Sequence, residues 1–140
     1  MVRLPAFEEL EHTADLALLI RGATLPELFV NAARAMFAQM TDQEPGQPAV
    51  KRRVRVTGID VESLLVAWLN ELLFLSETKR EVYSGFQIHS LSARELRATV
   101  KGGPSAELDL LIKSATFHNL TVEAGPEGFQ ATVEIGRAHV

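Results

Sequence analysis

The helical periodicity of residues 24–40 constrains the fold more than any other feature of the sequence. Thr24 can cap the first backbone N–H groups, Glu27 follows at the capping-box position, and Pro26 falls where a missing N–H costs nothing. From there the apolar residues recur at spacings of three and four, at Leu25, Leu28, Phe29, Ala32, Ala33, Met36, Phe37 and Met40. One broad face of this helix is therefore expected to pack against a sheet.

A second helix is predicted over residues 61–79, with Asp60 as its N-cap. Its apolar positions are Leu64, Leu65, Trp68, Leu69, Leu72, Leu73 and Leu75. This helix is expected to supply the second core element.

Strand patterns surround the two helices. Residues 16–20 form an apolar run that Gly22 closes, which favours a buried strand. In residues 49–57 the apolar Val50, Val54 and Val56 alternate with cations, so Lys51, Arg53 and Arg55 are expected on the opposite, solvent-facing side. Such a row of cations is more often a protected strand edge than a surface for RNA phosphates or for an acidic partner.

The last sixty residues read as short strands at 86–91, 96–101, 107–113, 118–123 and 129–135, with hairpin-type connections at 102–104 and 125–128. The order of strand, helix, strand, helix and then several strands predicts an α+β fold. We expect a single two-layer domain over residues 1–140, with two helices packed on one mostly antiparallel curved sheet.

Composition excludes several classes of protein. The 140 residues are 46% hydrophobic and 23% charged, as in soluble globular domains. The net charge of −4 argues against coating nucleic acid by bulk electrostatics. There is no cysteine, and no apolar run reaches the roughly 18 residues that span a bilayer. We therefore expect a cytoplasmic protein without a membrane anchor.

The usual catalytic motifs are missing. The sequence contains neither a G-x-S-x-G elbow nor a glycine-rich phosphate loop or dinucleotide fingerprint after a predicted strand. A stand-alone enzyme is therefore not indicated.

Asp15 is the candidate site residue that the local pattern singles out, because it stands at the entrance of a buried strand. Its carboxylate could bind a hard cation such as Ca²⁺ or Mg²⁺. Hydrogen bonding to backbone N–H groups in the turn is the commoner explanation on spacing alone. His12 could join a metal site or orient Asp15, although a lone histidine is more often structural.

Four motifs in order resemble the archease family. They are His12-Thr13-Ala14-Asp15, the segment from Gly22 to Phe29 with Ala32-Ala33 and Ala35-Met36, Leu64-Leu65 with the run from Trp68 to Leu73, and the segment from Ile112 to His118. The resemblance runs from about Phe7 to Ile135. A single motif of this kind would be weak, whereas four with the family's spacing are specific.

The resemblance implies a cytoplasmic α+β protein that assists the GTP-dependent tRNA-splicing RNA ligase. An archease promotes guanylylation of the ligase and its repeated turnover, and it is a protein cofactor and not the ligase itself. The net charge of −4 leads us to expect indirect or no contact with nucleic acid, and a homo-oligomer remains open.

The resemblance also implies a divalent metal, with Ca²⁺ expected and Mg²⁺ or Mn²⁺ as alternatives. The aspartate of the first motif corresponds to Asp15, and the family's other ligands are an aspartate next to the C-terminus and the terminal residue. Counted from the end of this chain, those positions hold His139 and Val140; counted from Phe129, the aspartate position holds Gly136. Glu134, on the same strand face as Gly136, is an alternative ligand.

Two further functions remain open at this point. A metal-independent binding or chaperone module could use Lys51, Arg53 and Arg55 as a docking surface. A metal-dependent hydrolase could use Asp15 and Glu134, and it is the weakest of the three interpretations.

Overall fold

The computed structural model describes residues 5–10, 16–40, 49–104, 112–116 and 120–137. Its elements in chain order are β1 Phe7–Leu10, β2 Leu16–Gly22, α1 Leu25–Met40, β3 Val50–Thr57, α2 Val61–Lys79, β4 Glu81–Leu91, β5 Glu95–Pro104, β6 Ile112–Thr116, β7 Val122–Gly125 and β8 Gly128–Arg137.

The strands form two sheets. The first has the order β1-β2-β8, and both β6 and β7 pair with the far side of β8. The second has three strands in the order β3-β5-β4. Every described pair is antiparallel. The α+β prediction is confirmed. The prediction of one sheet is wrong, because the strands form two separate sheets.

Helix α1 begins where its capping residues predict. The Thr24 hydroxyl accepts a hydrogen bond from the Glu27 backbone N–H at 3.2 Å, and the Thr24 carbonyl accepts from Leu28 at 2.9 Å. The helix contacts β2 of the first sheet and β4 of the second. Its apolar face, which includes Phe29 and Met36, is therefore buried between the two sheets.

Helix α2 has a complete capping box. The Asp60 carboxylate accepts from the Ser63 backbone N–H at 2.7 Å, and the Ser63 hydroxyl accepts from the Asp60 N–H at 3.1 Å. The helix ends at Lys79, and the C-cap residue Arg80 has a left-handed φ of 52°. The buried indole of Trp68 donates to the Phe29 carbonyl at 3.0 Å, which ties α2 to α1 in the middle of the core.

Two strand boundaries differ from those expected. Strand β4 begins at Glu81 and not near residue 86. Residues 102–104 do not form a hairpin connection, because Pro104 is still paired with Glu81. A Cβ added at Gly102 would lie 1.9 Å from the Val82 carbonyl oxygen, so this glycine permits close approach of two strands instead of a turn.

Three other strands also differ from the sequence prediction. Strand β1 lies outside the predicted strands, and it forms because its backbone pairs with β2. Strands β6 and β7 lie a few residues after the predicted 107–113 and 118–123, and part of those two ranges lies outside the described residues. No helix among the described residues is long and apolar enough to cross a membrane.

Candidate functional site

The predicted metal ligands Asp15, His139 and Val140 lie outside the described residues, as does His12. The structure describes the strand that follows Asp15 and the strand that precedes the C-terminal segment. These are β2 and β8, and they pair with Leu16 opposite Ile135. The two parts of the sequence that the resemblance assigns to one site are therefore joined to neighbouring strands.

Glu134 is the one member of the predicted ligand set that the structure describes. It stands opposite Ala17 of β2 on one side and Thr116 of β6 on the other. Only 6% of Glu134 is exposed. Its neighbours Val133 and Ile135 point into the core, so alternation places the Glu134 side chain on the other face of the sheet, together with Gly136.

A buried carboxylate is costly unless hydrogen bonds or a cation compensate it, so the position of Glu134 is compatible with a ligand role and with a structural role. Within residues 5–10, 16–40, 49–104, 112–116 and 120–137, no three His, Cys, Asp or Glu side chains come close enough to hold a metal ion.

A cleft of about 980 Å³ lies at the other end of the first sheet, between the start of α1 and the β7–β8 hairpin. Arg21 in its wall donates to Glu8 at 2.6 Å and to the Pro5 carbonyl at 3.0 Å, and Asn31 donates to the Arg21 carbonyl at 2.7 Å. Arg21 is five residues along β2 from Leu16, or about 16 Å at the usual rise of a strand. The cleft is therefore separate from the end of the sheet that carries Glu134.

The carboxylates Glu27, Glu123 and Glu127 also line this cleft. The buried Nε of Arg21 has no hydrogen-bond partner in the part of the chain that the structure describes. The guanidinium is already paired with Glu8, and the cleft is lined by more carboxylates than cations. The charge of the lining therefore disfavours an anionic ligand.

The second sheet presents five cations on its solvent side, which we call the basic face: Lys51, Arg53 and Arg55 of β3 and Arg97 and Lys101 of β5. The sequence singled out the first three. The β3–β5 register adds the other two, because Lys51 stands opposite Lys101 and Arg55 opposite Arg97. The alternation of apolar and polar residues in β5 places Arg97 and Lys101 on one side of their strand. The local sequence does not show that β3 is the neighbouring strand.

Glu95 is the one carboxylate among the residues paired across this face. It accepts from Arg97 Nε at 2.9 Å and from Arg55 Nη2 at 2.7 Å. These hydrogen bonds, from Arg97 first and then Arg55, lower the pKa of Glu95 below its ordinary value. One end of the basic face is therefore partly neutralised.

The core side of the same sheet holds a polar cluster in which Glu81 and Tyr83 are buried and Arg52 is partly exposed. Arg52 donates to both carboxylate oxygens of Glu81, at 3.0 and 2.7 Å, and the Tyr83 hydroxyl donates to Glu81 at 2.8 Å. The hydrogen bonds from Arg52 are the main cause of the lowered pKa of Glu81, and burial is the main cause of the raised pKa of Tyr83. This cluster joins the two edge strands of the sheet, and sequence reasoning missed it.

Comparison with known proteins gives a consistent result. Residues 7–135 match the model of the Archease protein family. The protein archease of Methanosarcina mazei is 37% identical over 137 residues, covering 92% of this chain and 94% of that protein. The protein archease of Sulfurisphaera tokodaii is 33% identical, covering 84% of this chain and 88% of that protein.

Solved structures agree with these relatives. A solution structure of a protein from Methanobacterium thermoautotrophicum is 33% identical, with a TM-score of 0.75 over 94% of this chain and 98% of that one. A crystal structure from Thermotoga maritima, described as an archease and possible chaperone, shares the fold with a TM-score of 0.59 at 19% identity, over 97% of this chain and 98% of that one. The match therefore extends over nearly the whole chain.

Proposed function

Because the chain belongs to the archease family, we propose that it is a protein cofactor of the GTP-dependent tRNA-splicing RNA ligase. It would act in the cytoplasm, without being an enzyme itself, by promoting guanylylation of the ligase and its repeated turnover. The observation that carries this proposal is the family match over residues 7–135. The resemblance of the four sequence motifs supplies the ligase as the partner.

The proposal includes a divalent cation, with Ca²⁺ preferred and Mg²⁺ or Mn²⁺ as alternatives. Asp15 would hold the ion together with Glu134 or with the C-terminal residues His139 and Val140. Support comes from the carboxylates of Asp15 and Glu134, because hard cations select oxygen ligands. The pairing of Leu16 with Ile135 adds that the strands next to these two residues are neighbours. Glu134 contributes a buried carboxylate at this end of β8.

When bound, such a cation would supply electrostatic stabilisation of the negative charge that develops as the guanylyl group is transferred. The role of this protein would be to hold the ligand carboxylates close together. The deep position of Glu134 would keep its side chain from being surrounded by water, which strengthens any charge interaction there.

The decisive experiment is a single-turnover guanylylation assay of the ligase, with and without this protein. The wild-type chain should stimulate guanylylation, and Asp15→Ala should abolish the stimulation while leaving the circular dichroism spectrum unchanged. Asp42→Ala, at another aspartate outside the predicted site, is the matched control and should stimulate fully. No stimulation by the wild-type protein would contradict the proposed function.

Calorimetric titration with Ca²⁺ and Mn²⁺ tests the ligand set separately. Asp15→Ala should remove binding, and comparison of Glu134→Gln with His139→Ala should show which residue is the second ligand. If Asp15→Ala binds metal as the wild type does, Asp15 is not a ligand and the metal part of the proposal is wrong.

A metal-independent binding or chaperone module is the second candidate. Two large apolar side chains are exposed, Ile59 at 82% just before α2 and Phe74 at 59% within it. Exposed apolar groups can engage a protein partner. This candidate predicts that Asp15→Ala keeps full stimulation of the ligase and that Phe74→Ser loses it. The same two variants therefore distinguish the two candidates.

A further inference from the structure

We propose that the basic face of the second sheet binds the phosphate backbone of RNA. The sequence alone favoured indirect or no contact with nucleic acid, because the whole chain has a net charge of −4. The structure gathers five of the fourteen Lys and Arg residues on one side of β3 and β5, together with one of the eighteen Asp and Glu residues. A local cationic surface therefore exists on an acidic protein.

The strongest observation is that like charges stand directly opposite each other. Lys51 is paired across the strands with Lys101, and Arg55 with Arg97. Directly opposed like charges destabilise an antiparallel pair. Glu95 relieves the Arg55 and Arg97 pair, but no described carboxylate lies within ion-pair distance of Lys51 or Lys101. An anion from outside the chain would relieve that pair.

Protection of a sheet edge does not explain this arrangement. Cations on β3 could serve that purpose, since β3 is an edge strand. Strand β5 is the central strand and has no free edge, yet it contributes Arg97 and Lys101. The other edge strand, β4, presents the uncharged Gln87 and Ser90 at the positions paired with β5. The cations therefore cover one face of the second sheet and are not confined to its edge strand.

The spacing of the charges is regular. Lys51, Arg53 and Arg55 alternate along β3, so successive side chains are about 6.6 Å apart, and the paired strands are separated by about 4.8 Å. Thr99, between Arg97 and Lys101 on β5, adds a hydroxyl that already contacts His89 at 2.7 Å. A row of cations with hydrogen-bonding side chains beside it suits a chain of phosphates.

The chemistry of the face favours a polynucleotide over an acidic protein. Protein interfaces need buried apolar or aromatic anchors. The two exposed large apolar side chains among the described residues, Ile59 and Phe74, belong to the α2 region and not to this sheet. Arginine, which supplies three of the five cations, binds phosphate oxygens with two parallel hydrogen bonds.

None of the paired residues on this face is Phe, Tyr or Trp, which favours contact with the backbone over stacking on bases. Binding should therefore depend little on sequence. The choice of RNA over DNA rests on the proposed function, in which the assisted ligase acts on RNA.

The test is fluorescence anisotropy with a labelled RNA stem-loop, without the ligase, over a series of salt concentrations. The variant Lys51→Gln/Lys101→Gln removes the unrelieved pair. It should weaken binding by about tenfold at low salt and reduce the slope of log K against log salt by about 1.4 to 1.8, as expected for two lost phosphate contacts. Its midpoint of urea unfolding should not fall, because a repulsive pair has been removed.

The matched control is Arg34→Gln/Lys79→Gln, which removes two exposed cations from the helices and changes the net charge equally. It should change the affinity by less than about twofold. No binding of RNA by the wild type, equal losses in both variants, or tighter binding of polyglutamate than of RNA would each overturn the proposal.

A negative result here would leave the proposed function untouched, because guanylylation of the ligase is measured without RNA. Conversely, RNA binding could be found even if Asp15→Ala stimulated the ligase normally. The two proposals therefore fail separately.

Discussion

Two glutamates of the second sheet, Glu81 and Glu95, have the same kinds of partner in opposite surroundings. Each carboxylate accepts hydrogen bonds from two side chains, at least one of them an arginine. The Glu81 side chain is 7% exposed, whereas that of Glu95 is 33% exposed. One lies on the core side of the sheet and the other on its solvent side.

Burial decides what each of these carboxylates does for the fold. Around Glu81 little water is present to replace a lost partner, so its bonds to Arg52 and Tyr83 are needed for stability. Around Glu95 water and salt compete with Arg55 and Arg97, so the pair adds little to stability. The main effect of Glu95 is to reduce the positive charge of the basic face.

The largest effect is expected from Glu81→Gln, which should lower the free energy of unfolding by about 2 kcal/mol. The variant keeps the shape of the side chain but loses the charge that Arg52 contacts. The loss should be smaller than for a fully buried ion pair, because the Arg52 side chain is 35% exposed and can regain water. Urea unfolding followed by the fluorescence of Trp68 measures it.

Glu95→Gln is the matched control for that measurement and should leave the urea midpoint unchanged. Equal midpoints for the two variants would show that burial does not set the contributions of Glu81 and Glu95 to stability.

The next largest effect is expected on the stability of the fold at acidic pH. The pKa of Glu81 in the folded protein lies below its ordinary value of 4.5, mainly because of the hydrogen bonds from Arg52. The stabilisation that the ionised Glu81 provides is therefore complete above about pH 4.5, and it is lost as the pH falls through the folded-state pKa. Urea midpoints of the wild type should fall steeply below about pH 4.5, and those of Glu81→Gln should fall less.

A wild type and a Glu81→Gln variant with parallel acid profiles would show that other carboxylates dominate acid unfolding. Glu95→Gln serves again as control and should follow the wild type closely, because solvent screens its ion pairs.

Tyr83 allows a smaller and very specific test, because it is the only tyrosine in the chain. Burial first, and then its hydrogen bond to Glu81, raises the pKa of Tyr83 above the ordinary value of 10.0. On alkaline titration the phenolate absorbance should therefore appear late, together with unfolding. In Glu81→Gln the pKa should fall but stay above 10.0, since burial is the larger cause. A Tyr83 that titrates normally in the folded wild type would contradict its burial.

The smallest effect is expected on the affinity of the basic face for RNA. Glu95→Gln removes the one carboxylate from the paired residues of the basic face, so it should tighten RNA binding by about threefold at low salt. The same anisotropy assay measures this. Weaker binding by Glu95→Gln would mean that Glu95 is needed to position Arg55 and Arg97 and not merely to neutralise them.

The contrast between the two glutamates also shows where sequence reasoning reached its limit. Arg52 interrupts the apolar series of Val50, Val54 and Val56, which was a visible sign of a cation on the inner side of β3. Its partner Glu81 is 29 residues away. Nothing local connects the two, so the buried pair could not be derived from periodicity.

The candidate site divides in the same way. The motif around Asp15 and the family resemblance came from the sequence, and the family is confirmed by the match over residues 7–135. The roles of Asp15, His139 and Val140 stay predictions. For Glu134 the structure adds deep burial and a place opposite Ala17 and Thr116, which alternation alone could not provide.

Local sequence patterns were sufficient to predict both helices, the hairpin at residues 125–128 and the α+β class. Capping, helical periodicity and turn chemistry act over a few neighbouring residues. Three features emerge only from the folded chain: the strands form two sheets, Gly102 lies against Val82, and Lys51 faces Lys101. These features depend on which distant strands meet. That choice is made by burial of the common core, which no single segment encodes.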